Sequence, residues 1–150
     1  MPIRCEIISQ DRMVYEGDVD IVLVPGSQGE MGILPNHAPL LSTLQFGVLK
    51  VRTKEREEVF TIAGGVIEVQ PNLITVMADA AENVNEIDIS RAEAARRRAE
   101  EILKQGPPED SDAYARIETA LRCSTLRLEA VKRYRSRRSS FTGASDEHNE

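Results

Sequence analysis

Residues 73–95 read LITVMADAAENVNEIDISRAEAA, and the chain changes from strand-like to helix-like sequence within this stretch. The run from Leu73 to Met77 is short, apolar and rich in β-branched residues, as strands usually are. From Ile87 onward the sequence is rich in Ala, Glu and Arg, which favour helix. We therefore place a boundary near residue 86, with an N-terminal domain over 1–86 and a helical domain after it.

The N-terminal domain is predicted to be all-β. Short runs of Val and Ile between Ile3 and Ala81 are broken at brief intervals by turn-forming residues. Turns are expected at Pro25-Gly26-Ser27, Pro35-Asn36, Gly64-Gly65 and Pro71-Asn72, because Gly allows positive φ and Pro fixes its own φ. Short strands in this number cannot bury themselves in one flat sheet, so we expect a sandwich or barrel of about eight to ten strands.

The helical domain is predicted to be an antiparallel hairpin of two helices over 87–134. Asp88-Ile89-Ser90 offers capping groups for the first helix, which must end at Gly106-Pro107-Pro108, and a second helix begins at Asp110-Ser111-Asp112. Apolar residues recur at three- and four-residue steps. They are Ala92, Ala95, Ala99 and Ile102 on the first helix, and Tyr114, Ile117, Leu121, Leu128 and Val131 on the second. Residues 135–150 are polar and are expected to be a disordered tail.

Composition excludes several classes of protein. A net charge of -6 over 150 residues has the wrong sign for a chain that coats nucleic acid or anionic lipid. No stretch approaches the roughly 20 apolar residues of a membrane helix, and the N-terminus lacks a hydrophobic signal core, so we expect a protein that stays inside the cell. Cys5 and Cys123 are expected to be buried thiols rather than parts of a disulfide framework or a zinc site.

Candidates for catalysis are few. His37 lies in the turn sequence Leu34–Pro39 with no evident nucleophile to pair with, so an enzyme centred on His37 is kept only as a minor alternative. No clustered ligands predict a metal site, and the glycines do not form a phosphate-binding loop. We therefore predict no catalytic residues and no active site in this chain.

The arginines of the helical domain form a sharper pattern. Residues 1–86 carry a net charge of -7, whereas residues 87–135 carry +2. Asp88, Arg91 and Arg98 share one face of the first helix. Further arginines on the two helices are Arg96, Arg97, Arg122 and Arg127. Such a cluster suits a polyphosphate or a row of carboxylates, while the simpler interpretation is a solvated face paired with glutamates of the same helix.

The run Gly29–Leu41, GEMGILPNHAPLL, resembles a signature of the epsilon subunit of the F-type ATP synthase, called delta in mitochondria. Three more segments resemble that family in matching order: Thr61–Val69 its second sandwich signature, Val76–Ala81 its last strand, and Ile87–Ala92 its I/L-D-x-x-R-A motif. The resemblance covers about residues 2 to 134. It implies a β-sandwich of about 8–10 strands followed by an antiparallel two-helix hairpin.

The resemblance also implies a role. The chain would be a non-catalytic central-stalk (rotor) subunit that couples proton-driven rotation of the membrane ring to ATP synthesis. Its partners would be the gamma subunit, the ring subunits and the alpha and beta subunits of the catalytic headpiece, with no nucleic acid. It would sit peripherally at the cytoplasmic face of the cell membrane, held there by proteins alone. Glu30 and His37 would face the ring, unless their loop merely closes the sandwich, and the hairpin would inhibit ATP hydrolysis.

A regulatory ATP is the one ligand that the resemblance suggests, since no cofactor is required. The residues assigned to this hypothetical site are Ile87, Asp88, Arg91, Ala92, Arg98 and Arg127. The three arginines would contact phosphate, while Asp88 would hold the adenine or order the helix start. Cys123 stands where the family has a further arginine, with Arg122 one residue away. The alternative function is an ATP-sensing binding module that uses the same hairpin.

Overall fold

The computed structural model describes residues 1–10, 12–106 and 108–135. The chain divides into two compact units, Met1–Asn83 and Val84–Glu150, of which the second is described as far as Arg135. The sequence-based boundary at residue 86 lies three residues later than this division, after a short 3₁₀ turn, Val84–Glu86. That turn belongs to the second unit.

The first unit is built from eight strands in the described residues. They are β1 Ile3–Ser9, β2 Arg12–Val19, β3 Ile21–Gly26, β4 Gly29–Ile33, β5 Leu40–Arg52, β6 Glu57–Gln70, β7 Leu73–Ala78 and β8 Ala81–Asn83. Their order in the sheet is β2-β1-β7-β6-β5-β3-β4, and β8 pairs with β6. The β1–β7 pair is parallel, and all other pairs among these strands are antiparallel.

The sheet has to fold over on itself. β2 and β3 stand five positions apart in the strand order, which would be about 24 Å in a flat sheet. Only Asp20 separates them in the chain, and its N–H donates to the carbonyl of Arg52 at 2.8 Å. Side chains from distant strands, such as Ile7 on β1 and Val22 on β3, accordingly lie in one buried cluster. The unit is a β-sandwich, as predicted.

A bend in β6 corrects one of the turn predictions. Gly64-Gly65 was expected to separate two strands, but both residues lie inside β6, with φ of 87° and 134°. A side chain on Gly65 would collide with the carbonyl of Met77 on the neighbouring strand. The two glycines therefore let one long strand bend without ending.

The remaining turn predictions fare better. Pro35-Asn36 and Pro71-Asn72 are turns, as expected. Pro25 and Gly26 instead end β3, so the turn of that hairpin consists of Ser27 and Gln28. The composition correctly predicted a turn between β3 and β4. Because the two strands stay paired as far as Gly26 and Gly29, the turn lies about two residues later than expected.

The second unit contains two helices. α1 spans Ile89–Lys104 and α2 spans Ser111–Ala130, followed by a five-residue π-helical turn, Val131–Arg135. The predicted caps are confirmed, because Asp88 and Asp110 each accept a backbone N–H of the first turn, and Gly106 follows α1 with φ of 107°. The helices pack together across a short connection, and the 3₁₀ turn before α1 contacts the π-helical turn after α2. They therefore form an antiparallel hairpin, as predicted.

Small side chains dominate the buried face of this hairpin. Ala92 and Ala99 are buried on α1, as expected, whereas Ile102 is 39% exposed. On α2 the residues buried most completely are Ser124 and Ala130. The larger predicted residues from Tyr114 to Leu128 are only half-buried, and Val131 is buried in the π-helical turn. The predicted tail falls almost wholly on residues 136–150, outside the described part of the chain.

Candidate functional site

The connection between β4 and β5, residues 34–39, has a fixed backbone. Asn36 adopts a positive φ of 63°, and its N–H donates to the carbonyl of Pro71 at 3.1 Å. The N–H of His37 donates to the carbonyl of Leu34 at 3.2 Å. These bonds tie the connection to itself and to the β6–β7 turn, so the sandwich presents it in one conformation.

Glu30 and His37 occupy neighbouring segments of the sandwich. Glu30 is exposed on β4, opposite Pro25 and next to the Ser27-Gln28 turn. His37 is half-buried in the following connection, and its Nδ1 lies 2.7 Å from the carbonyl oxygen of Ala38. In the neutral ring Nδ1–H donates in this bond, which leaves Nε2 as the acceptor.

Two exposed leucines lie on either side of His37, one at the start of the connection 34–39 and one just after it. Neither leucine was identified as a site residue from the sequence. Leu34 is 56% exposed and Leu41 is 70% exposed. Leu40 packs against the core, so the alternation of the strand turns Leu41 to the opposite face. The pair Leu40-Leu41 at the start of β5 was the available signal, since a strand with one buried face cannot bury both. Large exposed apolar side chains beside a fixed loop are typical of protein-binding surfaces.

The start of α1 holds four of the residues assigned to the ATP hypothesis. Ile87 and Ala92 are buried, with 3% and 2% of their surface exposed. Asp88 Oδ1 accepts the backbone N–H of Arg91 at 3.1 Å, so this carboxylate orders the first turn of the helix. The side chain of Arg91 is exposed.

Arg98 lies further along α1, on a groove between the two helices. The groove has a volume of about 310 Å³ and a mainly apolar lining. Its lining residues are Ala95, Arg98, Ala99, Ile102, Ala113, Arg116, Ile117 and Ala120. Arg116 on α2 thus joins Arg98 at the same groove, which the sequence interpretation missed because no motif marks Arg116. Alanines at four lining positions leave the space between the helices open.

Two other arginines of α1 follow the simpler interpretation. Arg96 Nε lies 3.8 Å from Glu100 Oε1, and Arg97 Nη2 lies 3.8 Å from Glu93 Oε2. Both are pairs four residues apart on an exposed helix surface, worth a few tenths of a kcal/mol each. These two pairs fit a charged helix face, in which Arg97 is solvated and the Nε of Arg96 is shielded from solvent.

Arg127 and Arg122 lie near the thiol of Cys123. Burial raises the pKa of this thiol, and the positive charges of Arg127 and Arg122 partly oppose that rise. Cys123 is only half-buried, which corrects the expectation of a buried thiol. Cys5 is buried as expected, and burial raises its pKa to about 12. The structure thus places Arg127 beside Cys123 and Arg98 beside Arg116.

The described residues contain neither a metal-binding cluster nor a membrane-spanning helix. Among residues 1–10, 12–106 and 108–135, no group of three His, Cys, Asp or Glu residues could hold a metal ion. Neither α1 nor α2, the helices of the described chain, is long and apolar enough to cross a membrane.

Both units match known family models. Residues 2–84 match the β-sandwich domain of the ATP synthase delta/epsilon chain, and residues 85–132 match its long α-helix domain. The ATP synthase epsilon chain of Herpetosiphon aurantiacus is 42% identical over 137 residues, which is 91% of this chain and 99% of that protein. The ATP synthase epsilon chain of Pelotomaculum thermopropionicum is 47% identical over 100 residues, 67% of this chain and 75% of that protein.

Solved structures agree in fold. A chain in the cryo-EM structure of the Euglena gracilis mitochondrial ATP synthase, comprising OSCP, F1 and c-ring, is 25% identical with a TM-score of 0.70. The match covers 86% of this chain and 80% of that chain. A chain of the central stalk and c-ring of the Tetrahymena thermophila mitochondrial enzyme matches with a TM-score of 0.55 and 15% identity, over 86% of this chain and 96% of that chain.

Proposed function

The chain belongs to the delta/epsilon family of ATP synthase subunits, and on this premise we propose that it couples rotation of the membrane ring to ATP synthesis and that its hairpin inhibits ATP hydrolysis. The observation that carries this proposal is the match of both units, in order, to the two domains of the family. The chain is similar to curated ATP synthase epsilon chains, and its fold matches that of a chain in a solved central stalk and c-ring. Catalysis takes place on the headpiece subunits.

The sandwich is the part proposed to bind the gamma subunit and the ring. Its connection 34–39 is held by backbone hydrogen bonds, and Leu34 and Leu41 expose apolar surface on either side of His37. Glu30 adds a charge at the neighbouring turn, where polar ring loops can pair with it. Binding to the ring would hold the subunit at the cytoplasmic face of the membrane through proteins alone.

Ring binding is tested by measuring affinity for purified ring and gamma subunits. Leu41→Ser and His37→Ala should weaken binding about ten-fold or more, since a few residues near the centre of an interface carry most of its binding energy. Glu55→Gln is the matched control, because Glu55 is an exposed acid at the β5–β6 turn of the same sandwich. Equal affinity of all three variants and the original protein would contradict the proposed surface.

The hairpin is the part proposed to inhibit hydrolysis. Its helices meet through small side chains such as Ala92, Ala99 and Ser124, so separating them exposes little apolar surface. Its net charge of +2 over residues 87–135 suits acidic segments of the catalytic subunits. A contact of this kind needs a row of ion pairs, since each exposed pair contributes only a fraction of a kcal/mol.

The test is ATP hydrolysis by a reconstituted headpiece with either the full chain or a chain ending at Asn83, the last residue of the first unit. The full chain should lower hydrolysis, and the shortened chain should restore it while still binding gamma. A pulldown with gamma provides the control for binding. Equal hydrolysis with both chains would contradict inhibition by the hairpin.

ATP sensing is a second candidate function, favoured by the arginines at the groove between the helices. Arg98 and Arg116 line this groove, and Ile87, Asp88, Arg91 and Ala92 carry the motif at the start of α1. Guanidinium groups suit phosphate oxygens, and the apolar lining suits the flat face of a base. Bound ATP would stabilise the closed hairpin according to its concentration relative to the dissociation constant.

Calorimetry of the full chain with ATP tests this candidate. Arg98→Ala should weaken ATP binding about ten- to hundred-fold, as expected for one charge-assisted hydrogen bond. Arg97→Ala is the matched control, because the neighbouring Arg97 already pairs with Glu93. An absence of heat with millimolar ATP would remove ATP sensing and leave the stalk role intact.

A further inference from the structure

The backbone carbonyl of Ile87 bonds to a residue far along the chain. Ile87 precedes Asp88, the N-cap of α1, so its carbonyl lies outside the regular hydrogen bonds of the helix, and the N–H of Arg91 is capped by the side chain of Asp88. The carbonyl of Ile87 accepts from Arg135 Nη2 at 2.7 Å, across 48 positions of the chain. A cation from the turn after α2 therefore contacts the residue just before the cap of α1.

The π-helical turn places Arg135 for this contact. The regular part of α2 ends at Ala130, and residues Val131–Arg135 continue with wider π-type hydrogen bonding. A widened turn changes the direction of the side chains that follow it, and such turns are rare and frequently occur at functional sites. Val131 in this turn is buried, as is Val84 in the 3₁₀ turn, and the two turns contact each other.

We propose that Arg135 is a clasp residue, whose hydrogen bond to Ile87 joins the two ends of the hairpin and sets the fraction of the closed form. The inference rests on the proposed function and takes the inhibitory form to be an extended one, in which the two helices of the closed hairpin have separated. The bond exists only when the start of α1 and the end of α2 are adjacent, so extension must break it.

A charge-assisted hydrogen bond has the right strength for such a role. A half-buried guanidinium on a carbonyl contributes more than a neutral pair, yet far less than the sandwich core. The clasp therefore biases the closed form without locking it. It also fixes the backbone carbonyl of Ile87, the first residue of the I/L-D-x-x-R-A motif.

Backbone hydrogen exchange of the full chain measures this clasp, because exchange reports local opening. Arg135→Ala should speed exchange in residues 84–95 and 125–135 about ten-fold or more, the effect expected for loss of one such bond. Exchange in the strands of residues 3–83 should stay unchanged, which shows that the variant is folded. Arg133→Ala is the matched control, since Arg133 lies in the same turn, 5.6 Å from the ring centroid of Tyr134.

Arg135→Met separates the hydrogen bond from the packing of the side-chain stem. Methionine keeps a long apolar side chain but has no donor and no charge, so this variant should resemble Arg135→Ala. Exchange equal to that of the original protein in Arg135→Ala, or in Arg135→Met, would overturn the clasp. Faster exchange without any change in headpiece hydrolysis would uphold the clasp and count against inhibition by the hairpin, so the two failures are distinguishable.

Discussion

The sandwich and the hairpin bury different kinds of side chain. Among the residues that the structure describes, the twelve largest fully buried side chains, all Phe, Ile, Leu or Val, lie in the sandwich. On the two helices themselves the buried residues are Ala92, Ala99, Ser124 and Ala130. Each large buried side chain contributes about 1.5–3 kcal/mol from transfer alone, whereas alanine contributes little. One part of the chain is therefore committed to a single structure, and the other can exchange its contacts at low cost.

The largest effect is expected in the sandwich core. Phe60 is fully buried, and its ring packs edge-on against Tyr15 with centroids 5.6 Å apart. Phe60→Ala should lower the free energy of unfolding by about 3–5 kcal/mol. Urea unfolding followed by circular dichroism measures this free energy. Met13→Ala is the control, because Met13 is 47% exposed. A loss as small as that of the control would contradict the view that large buried side chains stabilise the sandwich.

The second largest loss of stability is expected at the bend in β6. Gly65→Ala places a methyl group against the carbonyl of Met77 at a φ of 134°, so it should cost about 2–3 kcal/mol. Gly29→Ala is a matched control, because Gly29 has φ of 124° but no atoms within 4 Å of the added carbon. It should cost about 1 kcal/mol from backbone strain alone. Equal losses in urea unfolding would show that the close approach of β7 does not matter.

The stability of the sandwich should also fall in alkaline solution. The unfolded thiol of Cys5 loses its proton near its ordinary pKa of 9.0, whereas burial keeps the folded thiol protonated up to a pKa of about 12. The folded state thus binds more protons above pH 9, and its stability decreases as the pH rises. Between about pH 9 and 10.5 the loss from this group is about 2 kcal/mol.

Urea unfolding across this range checks the pH effect. Cys5→Val keeps an apolar side chain of similar size and removes the titrating group. Its stability should decline less steeply with pH than that of the original protein. Parallel declines would mean that Cys5 does not contribute to the alkaline loss.

The smallest effect is expected in the hairpin. Asp88→Ala removes the cap of α1 and should cost about 1 kcal/mol, because one N–H of the first turn loses its acceptor. Asp88→Asn should restore most of that stability, since asparagine caps equally well. Hydrogen exchange should show the change in residues 87–95 and leave the sandwich unaffected. A loss that spreads into the strands would mean that the two units unfold together.

The sequence predicted the sandwich well because its determinants are local. Short runs of Val and Ile correctly predicted the strands, Cys5 is buried as expected, and the capping residues correctly placed the helix starts. The sequence did not predict that β6 is one continuous strand. Gly-Gly occurs both in turns and in bends within a strand, and only the pairing with a neighbouring strand distinguishes the two. It named Asp88 as either an adenine ligand or a cap, and the structure shows the cap.

The candidate site was less predictable, since its contacts are long-range. Arg116 reaches the groove of Arg98 only because the helices fold back on each other. Arg135 meets Ile87 for the same reason, and no pattern of three or four residues links positions 48 apart. Leu41 is exposed because Leu40 takes the inward position, which depends on strand register. The roles of Glu30, His37, Arg91, Arg98 and Arg127 stay predictions.

The parallel pairing of β1 with β7 has a consequence for synthesis of the chain. Arg4 pairs with Leu73, so the first strand lacks its neighbour until about 70 more residues have been made. At about 5–20 residues per second this takes roughly 3–14 s, during which one edge of the β1–β2 pair is open. Arg4 and Glu6 alternate along that edge with buried residues, and such charges discourage pairing with another nascent chain. The helices are translated only after β7, so the sheet has all of its strands before the hairpin begins.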